Sequence, residues 1–149
     1  AATWYYQISE NYLCEPVRHY GFYLTPLQNF EKGKTVFYPH GYSNYFFHPT
    51  HPHELIIVST ENNKVSILNC LSGEIVRTIS KGKEYAFCNI DPVTGNYLFR
   101  NSYYVLITNE NGDELFRMRS EDASPYLANN ILTCWAGAAI NVEPYLKKP

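Results

Sequence analysis

From Tyr20 onward, short apolar runs alternate with polar turns. The clearest run is Glu54-Leu-Ile-Ile-Val-Ser59, β-branched and almost wholly apolar, which predicts a central strand. Strands are also predicted at Tyr20–Leu24, Thr35–Tyr38, Tyr45–His48, Val65–Leu68, Ile75–Ile79, Tyr85–Cys88, Tyr97–Arg100, Tyr103–Thr108 and Glu114–Met118. Between them lie turn signals: Thr25-Pro26, Pro39-His40-Gly41, Glu61–Lys64, Leu71-Ser-Gly73 and Asp91-Pro-Val-Thr-Gly95. Asn111-Gly112 reads as a two-residue hairpin. The connections leave no room for crossover helices, so the pairing is antiparallel. No segment keeps a 3.6-residue period. Ser120–Pro125 reads as a linker, and Tyr126–Gly137 as a short helical turn followed by a strand into Cys134. The sum is all-β, with about ten strands.

The pattern is copied. Leu27–Val36, Leu68–Val76 and Ile107–Leu115 align at a spacing of about 40 residues. Asn29, Asn69 and Asn109 share one phase, and Gly33, Gly73 and Gly112 follow them. Upstream, His51-Pro52 and Asp91-Pro92 repeat at the same offset. The expected organisation is one all-β domain, 1–149, with meander units at about 20–48, 51–88 and 91–118 and residues 119–149 packing back. Stacked meanders normally serve as a surface for holding another molecule.

Composition narrows the class. Hydrophobic residues make up 45% of the 149 and charged residues 17%, enough to fill a core. The 14 Tyr and 8 Phe favour strands and half-buried positions. Net charge is −2, and Lys147-Lys148 is the only basic doublet, which argues against nucleic acid as a partner. No apolar run approaches the ~20 residues of a membrane-spanning helix. Cys14, Cys70, Cys88 and Cys134 form no C-x-x-C pair; an even number at wide spacing suits two disulfides in an exported chain. Cys70–Cys88 and Cys14–Cys134 are the preferred pairs, with all three connectivities open. The start at Ala1-Ala-Thr-Trp4, without Met, resembles a processed terminus. The expected location is periplasmic or secreted.

The stretch His53–Ile79, with Val65-Ser-Ile-Leu-Asn69 followed by Leu71-Ser-Gly-Glu74, resembles one blade of a WD-type or quinoprotein-type β-propeller. The resemblance covers roughly 51–118 and, more faintly, 20–48. The Trp-Asp dipeptide is absent, and three units fall short of a closed ring. It therefore implies an incomplete propeller, an open twisted-sheet assembly stapled by disulfides. In size, cysteine use and hairpin order the chain is also similar to periplasmic immunity proteins that neutralise type VI secretion amidase effectors. In that family a hairpin tip enters the Cys-His cleft of the effector, and the matching place here is Ser59-Thr-Glu-Asn-Asn63.

Candidate chemistry is sparse. His48, His51 and His53 lie in Phe47-His-Pro-Thr-His-Pro-His53, with His40 nearby and Glu54 adjacent. Such imidazoles suit Zn²⁺ or Cu²⁺. Pro49 and Pro52 stiffen the tract and are expected to splay the rings, so no metal and no cofactor is assigned. No nucleophile elbow or phosphate loop occurs, and the carboxylate pairs Asp113/Glu114 and Glu121/Asp122 sit in turns. Of the aromatics Phe37, Tyr38, Tyr42, Tyr45, Phe46 and Phe47, about half are expected in the core. The rest would form a Tyr-rich patch.

The expectation is a non-enzymatic binding protein that occludes a partner hydrolase, a cell-wall amidase, with a hairpin loop. Ser59, Thr60, Glu61, Asn62 and Asn63 are its first contact residues, followed by Asn111 within Asn109–Asp113 and Tyr42 within Pro39–Asn44. The alternatives are a propeller-like scaffold or sensor module, self-associating or completed by a partner, and a small hydrolase using the histidine tract.

Overall fold

The alternation of apolar runs and turns folds as antiparallel meanders. The structure, a computed structural model, describes residues 5–17, 19–28, 34–41, 43–134 and 137–148. Fifteen strands occur among these residues, in four sheets, and within each sheet neighbouring strands follow one another in the chain. The first sheet is β1 (Gln7–Ile8), β2 (Tyr12–Val17), β3 (Gly21–Pro26) and β4 (Val36–Pro39). The second is β5 (Ser43–Phe47), β6 (Glu54–Ser59), β7 (Val65–Asn69) and β8 (Glu74–Ile79). The third is β9 (Ala86–Ile90), β10 (Tyr97–Arg100), β11 (Tyr104–Thr108) and β12 (Glu114–Arg119). The fourth is β13 (Tyr126–Ala128), β14 (Ile131–Thr133) and β15 (Ala139–Asn141). The chain divides into two compact units, Ala1–Thr78 and Ile79–Pro149.

In the first unit the first two sheets share a core. Tyr12, Cys14, Phe22 and Leu24 from one meet Tyr45, Leu55, Ile57 and Leu68 from the other. The Phe22 ring lies 4.8 Å from Tyr45 and 5.3 Å from Tyr38. Each such large side chain removed from water contributes roughly 1.5–3 kcal/mol. Strand β6 matches its predicted bounds. Leu55 and Ile57 face this core, while Ile56 and Val58 on the opposite face are buried too. Burial on both faces explains why this run is apolar instead of alternating. Pro16 sits in β2 where β1 has already stopped pairing, an edge position that tolerates proline.

In the second unit Leu98, Val105 and Ile107 pack with Leu127, Leu132 and Val142. Asp91, fully buried, joins the third sheet to the β13–β14 hairpin. Its carboxylate accepts the backbone N–H of Asn129 (2.8 Å) and Asn130 (2.9 Å). Those two asparagines form the hairpin turn, with φ of 51° and 60°. Positive φ at both central positions is what a tight primed turn demands.

Three expectations change. The strand count rises from about ten to fifteen, because the aromatic N-terminal segment and the three-residue C-terminal strands carry little period. Tyr126–Cys134 is strand, turn and strand, without the helical turn. The disulfides are absent: Cys14, Cys70, Cys88 and Cys134 are all free. Cys14 and Cys70 pack in the core of the first unit and Cys88 in that of the second, as small hydrophobes. Burial pushes the thiols of Cys14, Cys70 and Cys88 up to about 12. The pairs Cys70–Cys88 and Cys14–Cys134 would each have joined residues of different units. Residues 1–4, the first repeat copy's Asn29 and Gly33, and Tyr42 lie outside the described residues.

Candidate functional site

The histidine tract does not splay. It forms the connection between β5 and β6, and His48, directly after β5, is 6% exposed. Its Nδ1 accepts the backbone N–H of Thr50 and of His51, both at 3.1 Å. The neutral ring therefore carries its proton on Nε2, and that atom is buried without a hydrogen-bond partner. The His51 ring stacks on it, 3.9 Å between centroids and 5° from parallel. The turn closed on His48 Nδ1 brings His51 back over His48. Nδ1 of His51 lies 3.1 Å from Oε1 of Glu54, the first residue of β6. Arg77, on β8, donates to the same oxygen at 2.6 Å.

One ligand atom from each of His48, His51 and Glu54 falls within 4.8 Å of the others. His53 leaves the group and meets the Tyr12 hydroxyl at 2.8 Å, and His40 meets the Ser43 hydroxyl at 2.7 Å. Ser43 is 2% exposed, so that hydroxyl is an interior hydrogen-bonding group and not an accessible nucleophile. Beside the tract lies a cavity of about 180 Å³, lined by Ser9, Glu10 and Asn11 of the β1–β2 turn and by residues 47–52.

The electrostatics keep His48 neutral and Glu54 charged. Burial lowers the His48 imidazole to about 4; His51 and Arg77 push the same way and Glu54 opposes them. Burial raises Glu54, but the hydrogen bonds from His51 and Arg77 outweigh it and leave the carboxyl below its ordinary value. Arg77 carried no local signal in the sequence: a single cation in an apolar run names no partner.

The turn expected to make contacts stands at the other end of the second sheet. Ser59–Asn63 joins β6 to β7, whereas the histidine connection joins β5 to β6. Six residues of β6 separate them, roughly 20 Å at ~3.3 Å per residue. The turn is closed by Asn63 N–H to Ser59 O at 3.0 Å and by Lys64 N–H to Asn62 Oδ1 at 3.0 Å, with Asn63 at φ 59°. Glu61 and Asn62 are exposed at its tip. Asn111 is exposed in the β11–β12 connection. That loop runs from Asn109 to Asp113, with Gly112 at φ 87°, so it is longer than the predicted two-residue hairpin. It joins third and fourth strands while Ser59–Asn63 joins second and third, and in a meander these fall at opposite ends of a sheet. Of the expected aromatic patch, Tyr45 is buried at 3%, Tyr38 and Phe47 pack against the core, and Phe37 and Phe46 are exposed at 36% and 38%.

No family model matches the chain, and no curated protein does. Solved structures share its fold. BamB from Moraxella catarrhalis superposes with a TM-score of 0.60 at 16% identity, over 87% of this chain and 38% of its own. The WD40 domain of Toxoplasma gondii coronin gives 0.65 at 13% identity, over 87% and 39%. The computationally designed Ika4 protein gives 0.61 at 11% identity, over 91% and 86%. The chain thus spans about two-fifths of the length of BamB and of the coronin domain. WD40 blades are four-stranded propeller meanders, so the blade-like reading of the sequence stands. The resemblance to immunity proteins finds no support in these comparisons.

Proposed function

We propose that this chain is a non-enzymatic, propeller-type scaffold that binds another protein through its strand-connecting turns. One observation carries the reading: the successive meanders share the fold of propeller chains over 87% of this chain, and propellers recur as platforms for partners. The Ser59–Asn63 tip supplies a contact surface of the required kind. Its backbone is tied down by its own hydrogen bonds, so little entropy is lost when a partner orders it. The test is affinity capture from the source cells, from exported and internal fractions alike, read by mass spectrometry. Replacing Glu61 and Asn62 by Gly should release the captured protein, while Leu71→Ser, at the other end of the sheet, should keep it. Capture that neither variant alters, or no capture, removes the reading.

Occlusion of a cell-wall amidase by the same tip is the narrower version. The rigidity of the turn favours it, since a flexible loop makes a poor cleft plug. Mixing the chain with a peptidoglycan amidase should produce a complex and inhibition; neither appearing discards this version and leaves the scaffold in place.

A further inference from the structure

We propose that the cavity between the start of β9, the end of β10 and residues 123–125 binds a small organic acid, a monocarboxylate on a compact apolar body, with Arg100 as its counter-ion. The site lies wholly in the second unit and does not rest on the scaffold reading. The cavity, of about 250 Å³, is lined by Phe87, Cys88 and Arg100 from the strands and by Ala123, Ser124 and Pro125. A dry cavity of about 150 Å³ holds benzene, so one ring carrying a carboxylate fits here.

Two observations point to an anion. The first is an unpaired cation. Arg100 is half-buried and its Nε donates to the Asp122 carbonyl at 3.2 Å, yet no carboxylate among the described residues pairs with it. Arg77, Arg117 and Lys147, by contrast, each meet a glutamate. The Asp122 carboxylate is engaged in its own loop, where its Oδ1 accepts the Ser124 N–H at 2.8 Å. Drawing a cation partly out of water without a counter-charge costs free energy, and a bound anion offsets that cost. The second observation is the donor set that the cavity holds. With Nε committed, Nη1 and Nη2 of Arg100 donate to no other described residue. That edge of the guanidinium presents two parallel N–H groups, which match the two oxygens of a carboxylate. The exposed Ser124 hydroxyl adds a further donor. The Arg100 charge reaches into the cavity: burial pushes the Cys88 thiol up, and Arg100 opposes that shift. A single cation beside Phe87 and Pro125 suits a singly charged group on an apolar body. Phosphate carries more charge and calls for more donors.

The experiment is titration of isotope-labelled protein with sodium phenylacetate, followed by NMR at the Arg100 Nε–H and at the amides of Ala123 and Ser124. Saturable shifts with a Kd of about 1 mM or tighter are expected. Phenylacetamide, the same shape without the charge, should bind at least tenfold more weakly. Arg100→Gln should abolish binding, with circular dichroism reporting the fold. Arg100→Lys keeps a charge without the fork and should weaken binding about threefold. Ala123→Trp fills the exposed wall, leaves Arg100 in place, and should abolish binding too. Arg119→Gln, whose guanidinium lies over the Tyr103 ring, should bind as the parent does. A short peptide ending in Phe carries the same carboxylate at a chain end and should bind more weakly, because its remaining residues stay outside the cavity. Tighter binding of the peptide would make a protein terminus, not a free acid, the source and overturn the proposal. No saturable shift below about 20 mM, equal affinity for phenylacetate and phenylacetamide, or parental affinity in Arg100→Gln or Ala123→Trp overturns it as well.

Discussion

His48 and Asp91 stand at the same place in successive sheets, each directly after the first strand, and do the same backbone work with different atoms. His48 Nδ1 accepts the N–H groups two and three residues on. Asp91 Oδ1 accepts those of Val93 (2.9 Å) and Thr94 (3.3 Å), again two and three residues on. The difference lies in what remains. A carboxylate has two oxygens and about four acceptor sites; a neutral imidazole has one acceptor and one N–H. Asp91 spends its surplus on Asn129 and Asn130, holding the fourth sheet to the third. His48 has a surplus N–H with no acceptor. The same turn is thus closed structurally in one sheet and left with unused chemistry in the other.

Asp91→Ala should break the comparison most severely. It strands several buried N–H donors at once and unlatches the β13–β14 hairpin, for a loss of about 3–5 kcal/mol. Thermal or denaturant unfolding measures it. His48→Ala removes two acceptor contacts and leaves a gap, costing about 2 kcal/mol. His48→Asn sharpens the point, because an amide oxygen accepts the same N–H pair, as Asn69 does for Leu71 and Ser72. That variant should keep stability within about 1 kcal/mol of the parent. A His48→Asn protein as unstable as His48→Ala would show that the ring is needed for packing and not for the turn.

Acid should separate the two positions next. His48 titrates at about 4 when folded, lowered from 6.5 chiefly by burial. Above pH 6.5 it is neutral in both states and its contribution is full. Between 6.5 and 4 the unfolded chain takes a proton that the folded one refuses, so stability falls as pH falls, by up to about 1.4 kcal/mol per pH unit. Burial raises the Asp91 carboxyl, but four hydrogen bonds more than offset this and leave it lowered. Its contribution is present above the unfolded value of about 3.9 and fades only below it. Urea unfolding at pH 7 and pH 5 should therefore show a loss in the parent that His48→Asn removes. An equal loss in both proteins assigns the acid sensitivity elsewhere.

The same pair shows where sequence reading reaches its limit. His51-Pro52 and Asp91-Pro92 align as dipeptides, yet the structural counterpart of Asp91 is His48, three residues earlier. Proline marks that a turn exists, but the capping atom is set by hydrogen bonds that a one-dimensional alignment does not contain. Strands β6 and β10 were legible to the residue, because a run apolar on both faces has few alternatives. The disulfides were misread because the spacing of cysteines carries no information about burial. Cys14 and Cys70 both line one core. The residues at Glu54 were named in the sequence but their geometry was not legible, because His51 arrives from a bend in the β5–β6 connection and Arg77 from two strands away. The Asn–Gly phase, by contrast, recorded real chemistry. Asn69 and Asn109 each close a third-to-fourth-strand turn, with Gly73 (φ 75°) and Gly112 (φ 87°) taking the left-handed conformation that follows.

Those two asparagines make the finest comparison between repeats. Asn69 Oδ1 accepts Leu71 N–H at 2.9 Å and Ser72 N–H at 3.1 Å. Asn109 Oδ1 accepts Asn111 N–H at 2.9 Å and Asp113 N–H at 3.0 Å, and its Nδ2 also donates to Asp113 Oδ2 at 3.0 Å. Water replaces much of each bond in so exposed a turn, so Asn69→Ala should cost about 0.5–1 kcal/mol. Asn109→Ala should cost a few tenths more, since it loses a hydrogen bond to a carboxylate as well. Asp113→Ala should remove that excess, making the two turns equal in denaturant midpoint. If the excess persists, it comes from the backbone of the Gly112 turn, where a Cβ would meet Ile79 Cγ2 at 3.2 Å and little slack exists.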